Sequence, residues 1–118
     1  MTFLKCLCIL GGLALSPLFA QPALAEMTRI SWYGPGFEGS YTANGERFDR
    51  WSHTAAHPTM PFGTLLELTN PSTGASVTVR INDRSGGRLD VSEQAAIDLG
   101  VRDDGLANVR VDVVRWGR

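Results

Sequence analysis

"GTLLELTNPSTGASVTVRIND", Gly63 to Asp83, reads as two strands joined by a turn. Leu66 and Leu68 share one face of the first strand, and Glu67 and Thr69 share the other. The second alternates more cleanly, with Val77, Val79 and Ile81 inward and Thr78, Arg80 and Asn82 outward. Strict period-two alternation is the mark of a strand with one buried face. "PSTG", Pro71 to Gly74, supplies the turn residues, so the pair forms a hairpin with a loop of about four residues.

The flanking sequence extends this β character. "MTRISWYG" (Met27–Gly34) alternates loosely and reads as a strand, and "GPGFEG" (Gly34–Gly39) reads as a turn or loop. The stretch after it is mostly irregular, with a short helical turn expected near Phe48 to Trp51. "SEQAAIDLG" (Ser92–Gly100) is the one clear helix. Ser92 can accept from its first free N–H groups, and Glu93 suits the positive end of the dipole. Ala96 and Ile97 mark an apolar face, and Gly100 marks the stop. "NVRVDVVRW" (Asn108–Trp116) closes as a strand with Val109, Val111 and Val113 inward. Short strands with one helix predict a mainly β, barrel-like domain. A closed barrel also suits so small a core, because it leaves no sheet edge.

The chain has 118 residues and a formal net charge of −1. It opens with a short region carrying Lys5, followed by an apolar run from about Cys6 to Ala20 and then Ala23-Leu24-Ala25. This is the pattern of a secretory signal peptide cut after Ala25. The run is short and broken for a membrane span, with Gly11-Gly12 and Pro17 inside it. The expected mature domain is Glu26–Arg118, periplasmic or secreted, without a membrane anchor. Both cysteines, Cys6 and Cys8, fall in the leader, so neither a disulfide nor thiol chemistry is expected. The near-neutral charge argues against a nucleic-acid partner. A monomer is expected.

"YTANGERFDRWSHTAAH" (Tyr41–His57) gathers Glu46, Asp49, His53 and His57. Glu46 and Asp49 are three apart, which in a helical turn puts both on one face. Two close carboxylates can push one affinity for the proton upward. His53 and His57 have the i,i+4 spacing of a zinc pair, but catalytic zinc needs three protein ligands, and no HExxH motif is present. No metal and no cofactor are expected. Asp83 ends the alternating strand, where a side chain can project from a rigid support. Among the aromatics, Tyr33 or Trp51 is expected to line a sugar-binding groove, and the rest to fill the core.

"SWYGPGFEG", "TANGERFD", "TAAHPTMPFGT", "VRINDR" and "LDVSEQAAIDLG" stand in this order. The ordered set resembles the rare lipoprotein A family, the septal-ring lytic transglycosylases, from about Ile30 to Val114. The resemblance implies a six-stranded double-psi β-barrel with one short helix. It also implies cleavage of peptidoglycan glycan strands, with a preference for strands stripped of stem peptides. It places functional positions on Glu46, Asp49, His57 and Asp83. The segment "NDRSGGRLDVS" is shorter than the family's usual form and lacks its Gly-Pro and aromatic residue. No peptidoglycan-binding repeat follows the barrel region in this sequence, so septal targeting is not expected from it.

Lytic cleavage needs one proton donor that later serves as base, because the sugar's own C6 hydroxyl is the nucleophile. Asp83 is the first candidate for that donor and Glu46 the second. Asp49 is expected to bind or orient the sugar, and His57 to orient a carboxylate. Two other readings stay open. One is an expansin-like module that binds and loosens polysaccharide without cutting it. The other is an inverting hydrolase pairing Asp83 with Asp49 or Glu46, which needs carboxyls roughly 6.5–9.5 Å apart.

Overall fold

The computed structural model describes residues 26–118. The signal peptide expected over residues 1–25 lies outside the described residues. Six strands form, β1 (Glu26–Trp32), β2 (Thr54–Ala56), β3 (Leu65–Thr69), β4 (Ser76–Asp83), β5 (Leu89–Val91) and β6 (Ala107–Arg115). One helix, α1 (Glu93–Leu99), and a 3-10 turn (Arg102–Asp104) lie between β5 and β6. The strands close into a barrel in the order β1-β5-β2-β4-β3-β6. The pairs β1/β5 and β2/β4 are parallel, and the other four are antiparallel.

The hairpin behaves as its alternation requires. Leu66 pairs with Val79 and Leu68 with Val77. Leu66, Leu68, Val79 and Ile81 are fully buried, with Ile30, Val91 and Val109 beside them in the barrel interior. Asn70 holds the turn: its Oδ1 accepts from the Ser72 N–H, and its Nδ2 donates to the Leu99 carbonyl at the end of α1.

Helix α1 is capped at both ends. Ser92 Oγ accepts from the Ala95 N–H and also donates to the Ser52 carbonyl. Gly100 takes the left-handed conformation, φ 76°, and its N–H and that of Val101 return to the carbonyls of Ile97 and Ala96. Few residues other than glycine adopt that φ without strain. The apolar face differs from the expected one. Ala95, Ala96 and Leu99 are buried, whereas Ile97 is 38% exposed. One step along a helix turns about a quarter of the circle, so Ile97 leaves the face that Ala95 and Leu99 define. Glu93 is also buried, with Arg50 at 2.6 Å and Arg102 at 2.9 Å.

Two strands were not apparent from hydrophobic pattern. β2 and β5 have three residues each, too few for a period to show. β2 lies inside the stretch expected to be irregular, and the helical turn expected near Phe48 to Trp51 is a non-helical turn instead.

Leu68→Ala should cost about 2–5 kcal/mol, because the site is closed on all sides and cannot collapse. Val114→Ala, at a position 58% exposed, should change stability by less than about 0.5 kcal/mol. Urea unfolding of the two variants checks the contrast.

Candidate active site

Asp83 is the last residue of β4, and a register irregularity decides where it faces. Ala55 pairs with Ile81, but Ala56 pairs with Asp83, so Asn82 is the extra residue of a bulge. Simple alternation from the interior residue Ile81 would turn Asp83 inward as well. A bulge re-aims the side chain that follows it. Ala56 belongs to a second buried cluster with Tyr33 and Phe48, apart from the barrel interior.

Three donors converge on Asp83. Tyr33 Oη donates to Oδ2 at 2.6 Å, and the N–H groups of Ala43 and Arg84 donate to Oδ1, each at 2.8 Å. Tyr33 is held in place by stacking on Phe48, with centroids 4.2 Å apart, and by an edge contact with Phe37. Burial pushes the Tyr33 phenol far above its usual value, and the bond to Asp83 pushes it further. The phenol therefore stays a donor. Tyr33 is 8% exposed, so it supports the carboxylate from beneath and offers little face for a sugar to stack on.

Ala56 also pairs with Asp90 across the β2/β5 ladder. Asp83, Ala56 and Asp90 thus form one row over three adjacent strands. At about 4.8 Å per strand, the two aspartates have Cα atoms on the order of 10 Å apart. Asp90 accepts from Ser31 Oγ at 3.1 Å. Burial pushes the Asp90 carboxyl up, Ser31 and Arg88 pull it back, and the charge of Asp83 adds to the rise. Pattern reading missed Asp90 because the strand that carries it is so short; the only signal was an acid between Leu89 and Val91.

Glu46 has a different environment. Arg80 grips it with two bonds, at 2.8 and 3.0 Å, and Asn82 Nδ2 adds a third at 3.0 Å. The Arg80 bonds first, then Asn82, hold the Glu46 carboxyl at about 2. A carboxyl so acidic carries no proton to donate at neutral pH. Glu46 instead fastens the loop before β2 to β4, and Asn44 N–H to the Asn82 carbonyl adds to that seam. The seam places the Ala43 N–H on Asp83. Asn82, expected outward and exposed, is buried by this loop.

Asp49 does not join Glu46 on a helical face. Its Oδ1 accepts from the Trp51 N–H and its Oδ2 from Ser52 Oγ, so it is spent on a local turn. Trp51 is 53% exposed beside Arg50, whose guanidinium lies 4.7 Å from the ring centroid. Arg50 in turn binds Glu93, so Trp51 lies towards the start of α1.

His57 does not hydrogen-bond a carboxylate, contrary to expectation. Its Nδ1 accepts from the N–H groups of Thr59 and Met60, because Pro58 turns the chain sharply back over the ring. Its own N–H donates to the Asp83 carbonyl at 3.1 Å. Burial, then the nearby Arg84, lower its affinity for a proton. A neutral ring with Nδ1 accepting carries its hydrogen on Nε2. His53 is bound to Asp98 at 2.7 Å. The extended β2 separates the two histidines, so their spacing spans roughly 13 Å rather than one helical turn.

A closed six-stranded barrel with a single short helix is the architecture expected of a double-psi barrel. Residues 25–111 match the family model described as lytic transglycolase, and the chain belongs to that family. It is 44% identical to the probable endolytic peptidoglycan transglycosylase RlpA of Synechocystis sp., over 91% of this chain and 39% of the relative. It is likewise 44% identical to the endolytic peptidoglycan transglycosylase RlpA of Vibrio cholerae, over 75% of this chain and 35% of the relative. The chain thus spans well under half of these relatives. An expansin from Clavibacter michiganensis shares the fold, with TM-score 0.62 and 22% identity, over 80% of this chain and 52% of that one.

The Glu46–Arg80 pair generates a pH dependence. The folded-state value of Glu46 lies below the usual 4.5, so its stabilisation is present above 4.5 and lost as pH falls towards 2. Both side chains are about two-fifths exposed, so the effect is small. Unfolding free energies measured between pH 5 and pH 2 should fall less steeply for Glu46→Gln than for the unmodified protein.

Proposed function

We propose that the protein is an endolytic peptidoglycan transglycosylase acting outside the cytoplasm, in the periplasm or after secretion. The observation that carries the reading is the row Asp83–Ala56–Asp90, two carboxyls of unlike surroundings on rigid neighbouring strands. Membership of the lytic transglycolase family and the printed names of the relatives support the substrate.

The surroundings divide the work. Asp90 keeps its proton to higher pH than an ordinary aspartate, which suits the donor. Asp83 receives three hydrogen bonds, which hold it as an acceptor. Asp90 protonates the glycosidic oxygen, and the electron pair of the C1–O bond passes to that oxygen. The C6 hydroxyl of the same N-acetylmuramic acid attacks C1 and gives its proton to Asp83. The products are a 1,6-anhydro end and a free 4-hydroxyl on the departing sugar, and no water is consumed. The donor role that the sequence suggested for Asp83 thus passes to Asp90, and Glu46 positions the loop.

Asp83→Asn and Asp90→Asn should each lower turnover on peptide-free glycan strands by about 10²–10⁴. Activity should decline as pH rises through the raised value of Asp90, and Asp90→Asn should lose that limb. The ionised Asp90 destabilises the fold: its own contribution to stability is fully present below the usual 3.8 and is lost as pH rises through the raised value. Asp90→Asn should therefore be at least as stable as the unmodified protein at pH 7, which separates lost chemistry from lost folding. Mass spectrometry of the products decides the class. Anhydro ends support lytic cleavage, reducing ends would show hydrolysis, and glycan bound but uncut would establish an expansin-like module.

A further inference from the structure

The barrel carries a second bulge, near the end of β6. Leu66 pairs with Val113 but Leu65 with Arg115, so Val114 is the extra residue. Alternation from Val113, which packs on the core, would turn Arg115 inward; beyond the bulge Arg115 is exposed instead. Trp116 follows it and is 50% exposed. The next residue, Gly117, is pinned against the start of β3. Its N–H donates to Thr64 Oγ1 at 2.9 Å, and a Cβ there would collide with the Phe62 carbonyl oxygen. Only glycine allows that approach, and it holds the indole of Trp116 at a fixed place on the surface.

Trp116 and Phe62 line a groove of about 560 Å³, together with Gly63, Arg115 and Gly117. The groove is continuous with the acidic row. Arg84, whose N–H donates to Asp83, lays its guanidinium 4.1 Å from the Phe62 ring centroid. β4 and β6 are both antiparallel to β3, so they run the same way, and Arg80 and Arg115 both stand opposite Leu65. Asp83 and Trp116 come further along these two strands, at one end of the barrel. With β3 between them, their Cα atoms lie on the order of 10 Å apart. Among the described residues Arg115 forms no ion pair.

A half-exposed indole beside a guanidinium suits a pyranose ring. The C–H bonds of one sugar face pack on the aromatic plane, while hydroxyl and acetamido oxygens at the ring edge accept from arginine. We propose that Trp116 is the platform of an outlying glycan subsite, which holds an N-acetylhexosamine ring of the same strand a short distance from the bond at the acidic row. The assignment rests on the proposed action on peptidoglycan. The stacking face is the carbon skeleton that both sugars of the strand share, so the subsite responds to the length of the strand and not to its substituents. A strand that reaches from Asp83 to Trp116 gains a contact that a shorter one lacks.

The test is binding, so that it does not depend on cleavage. Isothermal titration would compare the glucosaminyl-muramic acid disaccharide with a longer peptide-free oligomer of the same repeat, both on the full protein carrying Asp90→Asn, which keeps the oligomer whole. The longer probe should bind about three- to tenfold more tightly, the size of one aromatic stacking contact. Adding Trp116→Ala should remove most of that gain, and Trp116→Tyr should retain most of it. Trp51→Ala, at a similarly exposed tryptophan beside α1, should leave the gain in place. Gly117→Ala should lose the gain with the indole still present, because the added methyl displaces it. Circular dichroism checks the fold of each variant. Equal binding of the two lengths with Trp116 intact would overturn the proposal, as would a gain unchanged in folded Trp116→Ala. A dimer that Trp116→Ala dissolves, without any gain from length, would assign the patch to self-association and overturn it too. A gain lost in Trp116→Ala, in a protein whose unmodified form yields no anhydro ends, would leave the subsite standing and sink the lytic reading. Anhydro ends without a gain from length would do the reverse.

Discussion

Everything in this molecule hangs on β2, three residues hydrogen-bonded on both flanks. Thr54 to Ala56 join β4 in parallel and β5 in antiparallel, and without them the barrel would be an open sheet. Closure matters most in a small domain, where few residues can be buried and unpaired edges are costly. The same three residues bring Asp83 and Asp90 onto one row. The fold is closed and the two acids are juxtaposed by a single act of pairing. The bulge at Asn82 belongs to that pairing, since it lets β4 present Ile81 to the interior and Asp83 to Ala56's side.

Electrostatics around this row separate three carboxyls of similar intrinsic acidity. Glu46, clasped by Arg80 and Asn82, is an ionised fastener. Asp83 is an acceptor held by a phenol and two backbone groups. Asp90 is half-buried and only lightly compensated, by Ser31 and Arg88. The last arrangement is unfavourable to the fold on its own account. Such tension between stability and chemistry is common where a side chain must keep a proton that water would remove.

The sequence disclosed those parts of the fold that repeat. The hairpin was legible because five residues on one strand and eight on the other are long enough to alternate, and α1 because Ser92 and Gly100 mark its ends. Asp83 stood out as the terminus of a regular strand. What stayed hidden was local or relational. β2 and β5 are too short to show a period. Asp90 acquires meaning only through Ala56, thirty-odd positions earlier in the chain. His57 lies near Asp83 as expected, but its ring is claimed by Thr59 and Met60, which a residue count does not disclose. Asp49 read as one of a pair with Glu46 because their spacing suits a helix, and the chain there forms a turn instead. Arg80 and Asn82 looked like a solvated strand face until the loop came down over them.

The placement of the first and last strands has a kinetic consequence. β1 is flanked by β5 and β6, and β3 by β4 and β6, so β6 fills the gap between strands made much earlier. Glu26 waits for Val111, and Leu68 for the same residue. Such distant contacts make folding slow for a chain of this size. No partial product can close the barrel. A growing or threading chain therefore stays extensible until its final strand emerges, and then gains most of its order in one late step.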